Sequence, residues 1–332
     1  MKRVIDSHST TSTRLTAASL LDYCTGNMTF RILLLGLLAV YAALAQNTSP
    51  SGPALPYHPV ENWAKLPEGW NFGECSGVAV DKQDNVWIFN RGAHPVVEFD
   101  THGNMLRAWK EVPIQSSHGI RVGADGNIWL VDVAGHKVLK MTPDGRVLMA
   151  IGGVGDKPGN QNSKDAFNRP TNIAFAPDGS FFVSDGYVNS RVVKYSKDGD
   201  YLQQWGQKGK ADAEFSLVHD VVFDSQGHLY VADRDNWRIL IFDQDGKFLG
   251  KWTNVGDPWG LDYFAPENAI YMSDGANDRV VKLNMDGQIT GTLGSHGRTP
   301  GKFFFPHSIA VDSTGALYVA EIRNWRVQKF VK

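Results

Sequence analysis

Ser216–Arg238, SLVHDVVFDSQGHLYVADRDNWR, decides the fold, because the rest of the chain repeats its layout. A short run of apolar residues leads through a Gly-containing turn into a second run that carries an aromatic. A polar loop with Asn and Arg follows. Short apolar runs bounded by turn residues read as strands. The equivalent second runs are VWIF at Val86, IWLV at Ile128, FFVS at Phe181, IYMS at Ile270 and LYVA at Leu317. Their aromatics (Trp87, Trp129, Phe182, Tyr230, Tyr271 and Tyr318) recur about every 40–50 residues, the period of a propeller blade. Asp-Gly turns at Asp125, Asp144, Asp178, Asp198, Asp245 and Asp286 mark further hairpins, and no amphipathic helix pattern interrupts them.

These units predict an all-β, six-bladed β-propeller over 57–332. The last unit runs out at Lys332 after its third strand, so the ring needs a strand from elsewhere. Pro59–Lys65, PVENWAK, is placed to supply it, which closes the ring with an N-terminal strand that completes the last blade. An open solenoid is the alternative, disfavoured because neither end reads as a polar cap.

Composition bounds the partners. Lys and Arg total 33 against 35 Asp and Glu, a formal net charge of -2, which argues against nucleic acid. Met28–Gln46, MTFRILLLGLLAVYAALAQ, has the parts of a secretory signal: Arg31, an apolar core, and Ala43-Leu44-Ala45 as a small-x-small cleavage site. Residues 1–45 are therefore expected to be an N-terminal extension and signal peptide, cut after Ala45, with Met28 an alternative start. Residues 46–56 are expected to be a flexible leader. A secreted or periplasmic protein without stable membrane insertion follows. Removal of the signal takes Cys24 with it and leaves Cys75 as a single thiol, read as a small buried residue.

In a repeat protein, function is sought where the units differ. The head of each inner strand holds Ser76, His118, Thr171, His219, Trp259 and His307 in blades one to six. The histidines fall in every second blade, at positions that ring a propeller's central channel, and this spacing points to one shared metal. Three neutral imidazoles suit Zn²⁺ with a fourth position open; iron or copper fits the same ligand type. Two further departures join them. The loop Ser184–Arg191 is one residue longer than its counterparts and presents Tyr187. Arg91 and Arg234 share one register in the opposed blades one and four. Cations beside a tyrosine are expected to lower its pKa and favour a phenolate base. The recurring acid, Asn and Arg of the loops (Asp233/Asn236/Arg238, Asp274/Asn277/Arg279 and Glu321/Asn324/Arg326) are read as ion pairs and turns rather than as a site.

The chain resembles the peptidyl-α-hydroxyglycine α-amidating lyase family of NHL-type propellers. The resemblance covers nearly all of Cys75–Lys332. It is carried by SGVAVDKQDNVWIFNRGAH (Ser76–His94), HGIRV (His118–Val122), RPTNIAFAPDGSFFVSDGYVNSRVVKYS (Arg169–Ser196), VADRDNWRI (Val231–Ile239) and PHSIAVD (Pro306–Asp312). It implies a zinc held by His118, His219 and His307, a catalytic Tyr187, and active-site arginines at Arg91 and Arg234. The implied substrate is a small-molecule or peptide α-hydroxyglycine, R-CO-NH-CH(OH)-COO⁻, cleaved at its C–N bond to an amide and glyoxylate. A separate hydroxylating enzyme is the implied supplier. The family also holds a structural Ca²⁺ through two backbone carbonyls, matching Val78 and Ile120, and through an Asp where this sequence has Ser308. Two other readings stand beside this one: a non-catalytic NHL propeller that binds a peptide or protein, and a metal-dependent lactonase. The histidine-rich ring disfavours the lactonase, whose sites are rich in carboxylates and amides.

Overall fold

The structure is a computed structural model and describes residues 50–332. The segment 1–45, expected to hold a signal peptide, therefore lies outside the described residues. Six four-stranded antiparallel sheets form a six-bladed β-propeller, and the only helical pieces among the described residues are single 3₁₀ turns. The innermost strands of blades one to six are Cys75–Val80, Ser117–Val122, Asn172–Phe175, Val218–Phe223, Pro258–Phe264 and Pro306–Val311.

Each sheet is covered on both faces by its neighbours, which is why the second strands read as continuous apolar runs. Their two faces feed different cores. One cluster joins Trp87, Phe89 and Val96 of blade one to Leu130, Leu139 and Met141 of blade two. Another joins Trp129 and Val131 of blade two to Phe181 and Tyr195 of blade three. The pattern continues around the ring, with a separate core at each blade interface.

Closure is by the N-terminal strand. His58–Val60 pairs antiparallel with Val331–Lys329 as the outer strand of blade six, overlapping only the start of the expected Pro59–Lys65 and beginning one residue before it. The remainder of that region does different work. Trp63 is buried between blades one and six, with ring centroids 5.5 Å from Phe99 and 5.1 Å from Tyr318, and its Nε1–H donates to Thr101 O at 3.0 Å. Residues 50–56 were expected within a flexible leader. Instead they lie along the outer edge of blade five: Leu55 N donates to Thr292 O and Thr292 N to Pro53 O, each at 2.9 Å, and Arg279 holds Pro50 O. The unpaired edge of Ile289–Leu293 provides the donors and acceptors that order them.

The repeated acid–Asn–Arg loops form intrablade clasps. Asp233 takes Arg238 Nε at 2.7 Å and Asn236 Nδ2 at 2.7 Å, while the far side of the guanidinium binds the carbonyls of Lys210, Ala211 and Glu214. Asp274–Arg279 and Glu321–Arg326 repeat the pairing, and in blade three Asp185 and Arg191 make it fully buried.

Trp63→Ala removes the aromatic wedge between the first and last blades. We expect a loss of about 3–5 kcal/mol, read as a fall of roughly 5–10 °C in the thermal midpoint. Deleting 57–70 removes both strand and wedge and is expected to abolish the single cooperative transition. Circular dichroism on the purified variants checks both outcomes.

Candidate metal centre

The inner strands do not run straight past the channel. Pairing with the second strand slips one step between Cys75 and Gly77, Val218 and Asp220, Pro258 and Gly260, and Pro306 and Ser308, and over Ser117–Ile120 in blade two. A β-bulge turns the extra residue out of the ladder and re-aims its side chain. The bulged positions are Ser76, His219, Trp259, His307 and the His118-Gly119 pair. Gly119 is required there: a Cβ would come within 2.5 Å of Thr171 O and 2.4 Å of Asn172 Oδ1.

The three histidines meet. Their ring centroids are 4.8 Å (His118–His219), 4.7 Å (His118–His307) and 4.8 Å (His219–His307) apart, their nearest ligand atoms all lie within 4.8 Å, and each side chain is buried. Every Nδ1 faces a backbone carbonyl of the next blade: His118 to Thr171 at 2.7 Å, His219 to Trp259 at 2.7 Å and His307 to Ser76 at 2.6 Å. A carbonyl only accepts, so each Nδ1 carries the proton and each Nε2 presents its lone pair. Support of this kind fixes the tautomer and ring orientation of a metal-binding histidine. Burial, followed by the neighbouring imidazoles and arginines, holds His118 and His219 well below the usual imidazole value. His307 is lowered to about 3, chiefly by burial. All three are therefore neutral at neutral pH and fit a divalent ion.

Tyr187 hangs over this cluster. Its hydroxyl is 3.3 Å from His118 Nε2 and 3.4 Å from His219 Nε2. The longer loop positions it, and the preceding Gly186 packs so tightly that a Cβ would sit 1.8 Å from Val218 O. Arg234 lies over the Tyr187 ring at 5.5 Å and over Trp259 at 4.2 Å, with Nε on Asp235 at 2.9 Å. Arg91 pairs with Glu74 at 2.5 Å and donates from Nε and Nη2 to Ser117 O, each at 3.3 Å. The arginines do pull the Tyr187 hydroxyl down, as the sequence suggested, but burial outweighs them and its pKa is raised above the ordinary value. A phenol so enclosed loses more hydration on ionising than the cations return.

The comparisons with known proteins follow from this fold. The NHL repeat family matches residues 215–242. NHL repeat-containing protein 3 of Homo sapiens is 32% identical over 292 residues, covering 81% of this chain and 82% of that protein. The chain belongs to the NHL-repeat propeller family. Peptidyl-alpha-hydroxyglycine alpha-amidating lyase 1 of Drosophila melanogaster is 29% identical over 291 residues, spanning 77% of this chain and 44% of the relative. Among solved structures, a gluconolactonase from Xanthomonas campestris superposes with a TM-score of 0.60 at 17% identity, over 85% of this chain and 97% of that one, a likeness of fold alone.

Two residues around the site of this NHL propeller were not singled out from sequence. Arg169 lies 5.9 Å from the Tyr187 ring. Trp259 packs against His219 in a tilted contact at 4.6 Å and edge-on against His307 at 5.3 Å; its place in the histidine column was the available signal. The calcium site implied at Val78 and Ile120 is not supported by the donors present. Ile120 O accepts from Arg121 Nη1 at 3.2 Å, and Ser308, which lacks a carboxylate, accepts from Val78 N at 3.3 Å. Ca²⁺ takes 6–8 oxygen ligands.

One divalent ion per chain is expected in the purified protein. His219→Ala should weaken its retention by more than the roughly 10–100-fold that follows loss of a supporting hydrogen bond, measured by elemental analysis after graded chelator dialysis.

Proposed function

We propose that this protein is a zinc-dependent lyase that cleaves α-hydroxyglycine compounds to an amide and glyoxylate. The observation that carries the reading is the Tyr187 hydroxyl set 3.3–3.4 Å from the Nε2 atoms of two members of a three-histidine cluster. The relatives named as amidating lyases support it.

His118, His219 and His307 would hold the ion, which when bound supplies Lewis acidity to the substrate hydroxyl. The rest is done by the chain's own residues. Tyr187 Oη lies beside the ligand nitrogens, within reach of a hydroxyl placed there; as a neutral phenol it relays the proton, passing its own toward the departing amide nitrogen as it takes the hydroxyl's. Arg91 takes the substrate carboxylate. Its present partner, Glu74, is a third exposed, and such pairs contribute only about 0–1 kcal/mol, so exchange is easy. Arg234, stacked on Trp259, sets the positive field around Tyr187. The hydroxyl proton leaves oxygen, a C=O forms, the C–N bond breaks, and the amide nitrogen gains a proton. Export through the N-terminal signal, and supply of substrate by a separate hydroxylase, belong to the same proposal.

Metal-loaded protein is expected to release glyoxylate from α-hydroxyhippurate. Tyr187→Phe should retain metal yet lose about 10²–10⁴-fold in rate, followed by a colorimetric glyoxylate assay. A fully loaded protein that forms no glyoxylate from α-hydroxyglycine amides overturns the reading.

A further inference from the structure

Beneath the histidines the channel contains a cation of the protein's own. Arg121 projects from the inner strand of blade two, three residues after His118, and is largely buried. Its Nη1 donates to Ile120 O at 3.2 Å. Its Nη2 reaches Asp220 Oδ1 at 2.9 Å and Oδ2 at 3.0 Å in blade four, and Leu261 O at 3.2 Å in blade five. Asp220 is anchored in turn, accepting from Val221 N at 2.7 Å and Leu261 N at 2.9 Å. A second carboxylate, Asp262, accepts from Val311 N at 2.7 Å in blade six, and the Arg121 charge acts on it as well. One guanidinium thus gathers carbonyls and a carboxylate from three blades across the axis.

We infer that Arg121 is a built-in structural cation that does the work of an axial metal ion, so that this propeller holds its ring centre without calcium. Converging carbonyl oxygens and buried carboxylates need positive charge between them. A calcium ion meets that need with 6–8 oxygens and exchanges with solvent. A guanidinium meets it with planar donors on a covalent tether and keeps its charge throughout. The remaining residues agree. Ser308 stands where a carboxylate ligand would be needed, and Asp220 belongs to a different blade and already binds Arg121. Asp220 directly follows His219, and Ile120 lies two residues past His118. The same clasp therefore ties together the strands that carry two of the three histidines. The inference stands independently of the catalytic proposal.

The test is on the full chain in zinc-buffered medium. Elemental analysis should find no stoichiometric calcium, and 10⁻³ M CaCl₂ should leave the thermal midpoint where the same concentration of MgCl₂ leaves it. Arg121→Met strands Asp220 without its partner and should lower the midpoint by about 5–10 °C. The double change Arg121→Gly with Ser308→Asp clears the axis and adds a carboxylate, and its midpoint should rise on adding calcium. Calcium bound one-to-one by the unaltered chain, or an Arg121→Met midpoint equal to that of the unaltered chain, overturns the inference. The calcium measurement needs no variant to fold.

Discussion

Closure of the ring is the constraint on which the rest of this molecule depends. Each blade is a twisted antiparallel sheet with no core of its own, and its two faces are buried only by the blades on either side. A ring with six interfaces and six cores has no spare blade surface, so the pairing of His58–Val60 with Val331–Lys329 and the Trp63 wedge are worth more than their few hydrogen bonds suggest. Once closed, the ring turns residues far apart in sequence into near neighbours around one axis. His118 and His307 are 189 positions apart and share a centroid distance of 4.7 Å for that reason alone.

Around that axis the blades alternate in role. Blades two, four and six contribute imidazoles; blades three, five and one contribute the carbonyls that receive their Nδ1–H protons. Both sets come from the same column of the repeat, which offers an imidazole in alternate blades and a backbone carbonyl in the others. Below this layer sits the Arg121–Asp220 pair, and above it Tyr187 and the arginines. Charge is thus stacked along the channel: the Arg121 cation, three neutral donors, then Arg91 and Arg234 at the mouth. The Arg91–Glu74 pair at the mouth, a third exposed, is screened and exchangeable, whereas the Arg121–Asp220 pair below is largely buried.

The fold and the histidine trio were legible in the sequence because a repeat makes its own alignment. Turn dipeptides and aromatic positions set the register, and departures from it were visible as His118, His219 and His307. Tyr187 was legible for the same reason, through one surplus residue. The bulges were not, since an extra unpaired residue in a strand has no residue type of its own. Arg121 went unnoticed because its partners lie 99 and 140 positions away, in blades whose sequences give no hint of them. The direction of the Tyr187 shift was misjudged because charge can be counted along a chain but depth cannot. The order of 50–56 was missed because it depends on a vacant sheet edge elsewhere, not on its own Pro- and Ser-rich composition.

The ring-closing strand pair also has a consequence in time. Ribosomes deliver the chain from its N-terminus, so the outer strand of blade six waits while five blades emerge before the residues it pairs with appear. His307 emerges in that same final blade. Until blade six has emerged, the nascent protein therefore carries two of the three clustered histidines and an unsealed ring. Assembly of the histidine cluster is thus tied to closure of the ring, and a chain cut short before blade six is left with an incomplete cluster.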